Sequence, residues 1–103
     1  VIIFSKSYCP HSKRAKNILL NLYKIVPAPF VVELDQHPLG LQLQNTLGRS
    51  TGRRTVPNVL INGKSIGGGD EVSALHDSGK LLDTVNSMGG KRIMEAEQRS
   101  DSN

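Results

Sequence analysis

Ser7-Tyr8-Cys9-Pro10-His11-Ser12 is the stretch of this chain best equipped to do chemistry, and Cys9 is the only cysteine among 103 residues. It follows a short apolar run, Val1-Ile2-Ile3-Phe4, and precedes a segment with helical periodicity. Pro10 suits the first helical position, where a missing N–H removes no intrahelical bond. Cys9 then falls at the N-cap, with free backbone N–H groups and the positive end of the helix dipole aimed at its sulfur. A thiolate there is stabilised, so its pKa is expected well below the free value of about 8.5. Lys6, Lys13, Arg14 and Lys16 add positive charge nearby. A lone cysteine is otherwise a small buried hydrophobe. The proline and the basic surroundings are what favour a nucleophile.

Two further stretches fit such a thiolate. At Val56-Pro57 the chain enters a strand with a residue that cannot donate to the ladder. A cis bond there would present the N–H and C=O of Val56 to a ligand, so that an extended peptide pairs with them. At Gly67-Gly68-Gly69-Asp70-Glu71 the glycines admit close backbone approach, and the helix that begins there offers N–H donors to a carboxylate. Asp70 or Glu71 can accept from an ammonium. A thiolate, a backbone docking edge and a clamp for a carboxylate and an amine together describe a receptor for a small thiol peptide.

The elements that must position these groups follow from the pattern. Val1 to Phe4 reads as a buried strand. Ala15, Ile18, Leu19 and Leu22 recur on one face of a helix expected from Pro10 to Tyr23, which Pro27 and Pro29 end. Phe30-Val31-Val32-Glu33-Leu34 is the second strand, giving a right-handed βαβ unit with parallel strands. Pro38 opens a second helix with Leu39, Leu43, Thr46 and Leu47 inward, closed by Gly52 in the left-handed conformation. Val59-Leu60-Ile61 and Lys64-Ser65-Ile66 form a hairpin about the turn Asn62-Gly63. The Gly67–Gly69 segment opens another helix, and Ser78-Gly79 separates it from a last one through Leu81, Leu82 and Val85. The order β-α-β-α-β-β-α implies an α/β domain over residues 1–88: a four-stranded mixed sheet with helices on both faces. Residues 89–103 read as a tail, frayed or forming a short helix from Ile93 to Arg99.

Composition narrows the function. The chain is long enough for one small domain, its core must be aliphatic because aromatics make up 4%, and a net charge of +4 permits an anionic ligand. Scattered basic residues and few aromatics argue against nucleic acid. No apolar run is long enough to span a membrane. One cysteine excludes an internal disulfide, which suits a reducing compartment without excluding the secretory pathway. The sequence opens inside an apparent strand without an initiator Met and is expected to be a cut domain, with any targeting or anchor segment upstream.

Ser5-Lys6-Ser7-Tyr8-Cys9-Pro10-His11-Ser12, Thr51-Gly52-Arg53-Arg54-Thr55-Val56-Pro57-Asn58-Val59 and Asn62-Gly63-Lys64-Ser65-Ile66-Gly67-Gly68 resemble the glutaredoxins, which have a thioredoxin-like fold. The similarity spans about Val1 to Val85. With Val32-Glu33-Leu34-Asp35 it looks closest to the single-cysteine glutaredoxins of the fungal secretory pathway, which would place the protein there, with the cytoplasm as the alternative. The resemblance implies Cys9 as nucleophile, and Lys6 and Gln44 as partners of the glycine carboxylate of glutathione. It implies Thr55, Val56 and cis Pro57 around the cysteinyl part, and Gly68, Gly69, Asp70 and Glu71 around the γ-glutamyl end. Tyr8 and His11 belong to the implied contact set, and Arg54 either clamps the glycine carboxylate or is a solvated loop charge. Three positions depart from the usual pattern: Glu71 is longer than the common Asp, His11 replaces a frequent Tyr, and Ser12 stands where dithiol relatives carry a resolving cysteine. The N-terminal helix of the family is also missing.

The activity so implied is glutathione-dependent reduction of glutathione mixed disulfides by a monothiol mechanism. Glutathione would be co-substrate, glutathionylated proteins the partners and a monomer the working form. A rival is a dimer in which two Cys9 thiolates and two glutathiones ligate a [2Fe–2S] cluster, since a cluster needs four thiolates. Pro10 argues mildly against it by stiffening the helix start. A glutathione transferase N-terminal half fits less well, because that family continues into a long helical domain.

Overall fold

The computed structural model describes residues 1–99. Strand β1 (Ile2–Ser5) leads through a tight loop into helix α1 (Pro10–Asn17). The helix then widens into a π-turn over Ile18–Leu22 and ends in strand β2 (Tyr23–Val26). Strand β3 (Phe30–Glu33) follows, then a 3-10 turn and helix α2 (Gly40–Thr51). Strands β4 (Asn58–Ile61) and β5 (Lys64–Gly67) make the hairpin, and helices α3 (Gly69–Asp77) and α4 (Leu81–Gly89) lead to strand β6 (Glu95–Gln98).

The main sheet runs β3-β1-β4-β5. Strand β1 is parallel to β3 and antiparallel to β4, and β4 is antiparallel to β5. This is the expected four-stranded mixed sheet. Its turn is the expected one too, with Asn62 and Gly63 both at positive φ. Ile3, Val59 and Ile61 point to one face and pack with Ala15, Leu19, Val72, Leu81 and Val85, all fully buried, so α1, α3 and α4 cover that side. Burial of this aliphatic set is the chief stabilising term, at about 1.5–3 kcal/mol per large side chain. On the other face Leu43 of α2 lines a shallow hollow together with Phe4 and Val32.

Three expectations need correction. The first helix does not reach Tyr23. Tyr23 and Ile25 are buried while Lys24 is exposed, a period of two, and the π-turn lets the chain leave the helix axis and extend. The tail is neither frayed nor helical over residues 95–98. There it pairs antiparallel with β2, from Tyr23↔Gln98 to Val26↔Glu95, in a second two-stranded sheet. Its remaining residues, 100–103, lie outside the described ones. Leu39 and Thr46 do not face inward: Leu39 precedes α2, half exposed, and Thr46 lies exposed on the helix, while Gln44 takes a buried position there. Gly52, with φ near +78°, ends α2 as expected.

Candidate active site

Cys9 is the N-cap of α1, with extended backbone (φ −85°, ψ 122°) and Pro10 as the first helical residue. Its N–H donates to the Lys6 carbonyl at 3.1 Å, and its carbonyl accepts from the Lys13 N–H at 3.0 Å, which fixes the loop-to-helix junction. Burial pushes the Cys9 thiol up, but hydrogen bonds from the Ser12 N–H, the Ser12 hydroxyl and the His11 N–H, with the Lys6 charge, outweigh it and leave the pKa lowered. Ser12 is fully buried, and its oxygen also accepts the Lys6 N–H at 3.2 Å. The position of a missing second thiol is thus a hydroxyl that serves the first.

The charge around Cys9 is narrower than the sequence implied. Lys6 acts on it directly, whereas Arg14 is held by Asp70 at 2.6 Å and Lys16 by Glu33 at 2.7 Å. The loop carrying Lys6 and Cys9 is tied down from a distance. Asp35, just after β3, accepts both the N–H of Ser7 (2.9 Å) and its hydroxyl. These bonds hold the Asp35 carboxyl below its ordinary range.

Two residues beyond Cys9 the surface opens into a cleft of about 310 Å³, lined by His11, Arg53, Thr55, Val56, Pro57, Gly69 and Asp70. Each of the three chemistry-bearing stretches contributes to the lining, the first through His11, with Cys9 itself outside it, and the third through Gly69 and Asp70. The Val56–Pro57 peptide is cis, as the resemblance implied. Asn58, almost fully buried, anchors this wall from within. Its amide nitrogen donates to the Thr51 hydroxyl and the Arg53 carbonyl, both at 3.2 Å, while its oxygen accepts the Ser65 hydroxyl at 2.6 Å. Gln44 donates to the Arg54 carbonyl at 3.0 Å. Gln44 is therefore a buried support of the loop, and Arg54, whose Nε donates to Asn45 at 2.8 Å, lies outside the lining. Lys6 and exposed Tyr8 also stand outside it, on the loop before Cys9.

At the far end, Glu71 accepts the Gly68 N–H at 2.7 Å, its side chain folding back onto the helix start, and takes the Arg53 guanidinium at 3.2 Å. The capping bond, set against partial burial, lowers its pKa. A Cβ on Gly68 would collide with that guanidinium and lie 2.8 Å from the Pro57 carbonyl. The glycines do admit close approach, but of the protein's own arginines.

Sequence reasoning missed Arg53 and Asp35. Arg53 is set apart from its neighbour Arg54 only by the partner that packing gives it, Glu71 rather than Asn45. No local signal marks Asp35, whose partner is 28 positions away. Among the described residues no group of three or more His, Cys, Asp or Glu side chains could hold a metal ion, so a cluster on Cys9 would need thiolates from outside the chain. No helix among them is long and apolar enough to cross a membrane.

Comparison with known proteins agrees with this geometry. The family model for glutaredoxin matches residues 1–66. Monothiol glutaredoxin-7 of Saccharomyces cerevisiae is 44% identical over 103 residues, which cover 99% of this chain and 51% of that protein. Glutaredoxin-C4 of Arabidopsis thaliana is 45% identical over 91 residues, covering 88% and 65%. The chain thus spans about half to two thirds of these relatives, and the near-equal identities do not separate the fungal from the plant branch. The crystal structure of a buckwheat glutaredoxin–glutathione complex superposes with a TM-score of 0.71 at 40% identity, covering 85% of this chain and 77% of that one. A cysteine N-cap beside a cis-proline wall, on a thioredoxin-like sheet and at these identities, has one reading: the chain belongs to the glutaredoxin family.

Proposed function

We propose that the chain is a glutathione-dependent thiol–disulfide oxidoreductase that works through Cys9 alone. One observation carries the reading. A thiol with a lowered pKa stands at a helix N-cap, beside a cleft whose walls are a cis-proline loop and the start of a second helix. The Cys9 thiolate attacks the glutathione sulfur of a mixed disulfide, forms a Cys9–glutathione disulfide and expels the other thiol as thiolate. A second glutathione thiolate attacks the glutathione sulfur of that adduct, releases glutathione disulfide and regenerates the Cys9 thiolate. Each step makes one S–S bond and breaks one. Ser12 in place of a second thiol supports a route that avoids an internal disulfide, and the yeast monothiol relative supports it further.

In this reading Thr55 and Val56 pair with the cysteinyl backbone, and Asp70 receives the γ-glutamyl ammonium. Lys6 attracts the glycine carboxylate. The buckwheat complex supports glutathione as the bound thiol. Cys9→Ser tests the proposal. Turnover of a glutathione mixed disulfide should vanish with the fold intact, because a hydroxyl is hardly ionised at neutral pH. Residual turnover above a few per cent of the parent rate would sink it.

A further inference from the structure

Asp70 already has a cation. Nη2 of Arg14 lies 2.6 Å from Asp70 Oδ1 and 3.3 Å from Nδ1 of His11. A Cβ on Gly69 would sit 2.9 Å from that same nitrogen. The Arg14 guanidinium therefore rests against the first turn of α3, among three residues that line the cleft: His11, Gly69 and Asp70. It is the main cause of the lowered Asp70 pKa. Glu71, the other acidic residue at this helix start, is committed to the Gly68 N–H and to Arg53. An ammonium arriving in the cleft thus has Asp70 as its acceptor, and Arg14 as the incumbent there.

Resting on the glutathione reading above, we propose that Arg14 is a specificity-determining competitor, displaced from Asp70 only by a ligand that brings its own ammonium. The pair is exposed, with side-chain accessibilities of 40% for Arg14 and 80% for Asp70, so release into water is easy and the competition mild. A thiol peptide without the ammonium gains nothing from Asp70 and leaves Arg14 in place. Asp70 favours an end group that is zwitterionic over one that is only anionic, and Arg14, by occupying Asp70, narrows that preference. Arg14 tunes affinity for that end without touching sulfur chemistry.

Calorimetric titration with S-methylglutathione, whose capped sulfur cannot react, and with its N-acetylated form tests this. Arg14→Gln should bind S-methylglutathione roughly two- to fivefold more tightly than the parent, the range for loss of an exposed competing ion pair. Its affinity for the N-acetylated ligand should stay unchanged. Arg14→Lys, which keeps a cation on α1, should restore parent-like affinity. Unchanged or weaker binding of S-methylglutathione by Arg14→Gln would overturn the competitor role and make Arg14 a neighbour or an orienting group of Asp70. If the parent itself fails to distinguish the two ligands, ammonium recognition at Asp70 is wrong and the competitor role falls with it, while the oxidoreductase reading stands or falls separately on Cys9→Ser.

Discussion

Ser12→Ala is the sharpest probe of how this site makes its thiolate. The substitution removes one buried oxygen and leaves the helix, the cleft and the Ser12 N–H in place. That oxygen serves twice, as donor to the Cys9 sulfur and as acceptor for the Lys6 N–H at 3.2 Å. A hydrogen bond to a charged group contributes about 1.5–3 kcal/mol. Sulfur is a weak acceptor, so the lower end applies, about one pKa unit at 1.36 kcal/mol per unit. Burial pushes the other way, so this loss should raise the Cys9 midpoint, while the Ser12 N–H, the His11 N–H and the Lys6 charge still hold it down. Alkylation by a small uncharged reagent, followed against pH, reads the midpoint directly. On the acid side of the profile the rate at fixed pH should fall roughly tenfold, with a plateau unchanged at high pH. The unpaired Lys6 N–H should also cost about 1 kcal/mol of stability. A midpoint that stays put, or moves down, would refute the account of Ser12 as the thiolate's partner.

Gln44→Leu should destabilise the fold by about 1–3 kcal/mol, because the Arg54 carbonyl loses its donor inside a partly buried loop, and should raise KM for glutathione more than it lowers kcat; denaturant unfolding and steady-state kinetics measure both. Gly68→Ala should impair glutathione turnover severely while sparing Cys9 alkylation, since the new methyl meets the Pro57 carbonyl and Arg53. Asp35 has a folded pKa lowered by the Ser7 hydroxyl and N–H. Its contribution is therefore present above the ordinary carboxylate value and lost as pH falls through the lowered one. A Ser7 amide NMR titration should give a midpoint below about 3.9.

Much of this was legible in the residues. Cys9-Pro10 and Asn62-Gly63 are local devices whose backbone demands few other arrangements satisfy, and Gly52 ends its helix for the same reason. Helix α1 misled at its end because Ile18, Leu19 and Leu22 continue a helical period up to the residue where the chain extends. The alternation of Tyr23, Lys24 and Ile25 is too short to compete with it. Glu95-Ala96-Glu97-Gln98 has no strand propensity, and pairing with β2 makes it one. Of the two neighbouring arginines, Arg53 reaches Glu71 and Arg54 reaches Asn45. That choice depends on where α2 and α3 come to rest, which no local pattern reports. The Asp35 tie to Ser7 is hidden for the same reason.

The β2–β6 ribbon has a consequence for how the protein comes apart. Its strands are held across a long loop, with the Arg99 guanidinium reaching the Tyr23 carbonyl 76 positions away. Loop closure must precede any gain from such pairing, so the ribbon forms late and opens early. Neither of its strands belongs to the main sheet, and the backbone hydrogen bonds that fix the Cys9 junction involve neither. Sub-global opening can thus release residues 95–98 and bare one edge of the aliphatic core at Ile25 while the catalytic end stays whole. Hydrogen exchange should divide accordingly. Amides of Lys24 and Glu97 should exchange at rates set by this partial opening, and those of Ile3 and Val59 only through global unfolding. Equal protection at the four sites would mean that the ribbon and the sheet unfold as one.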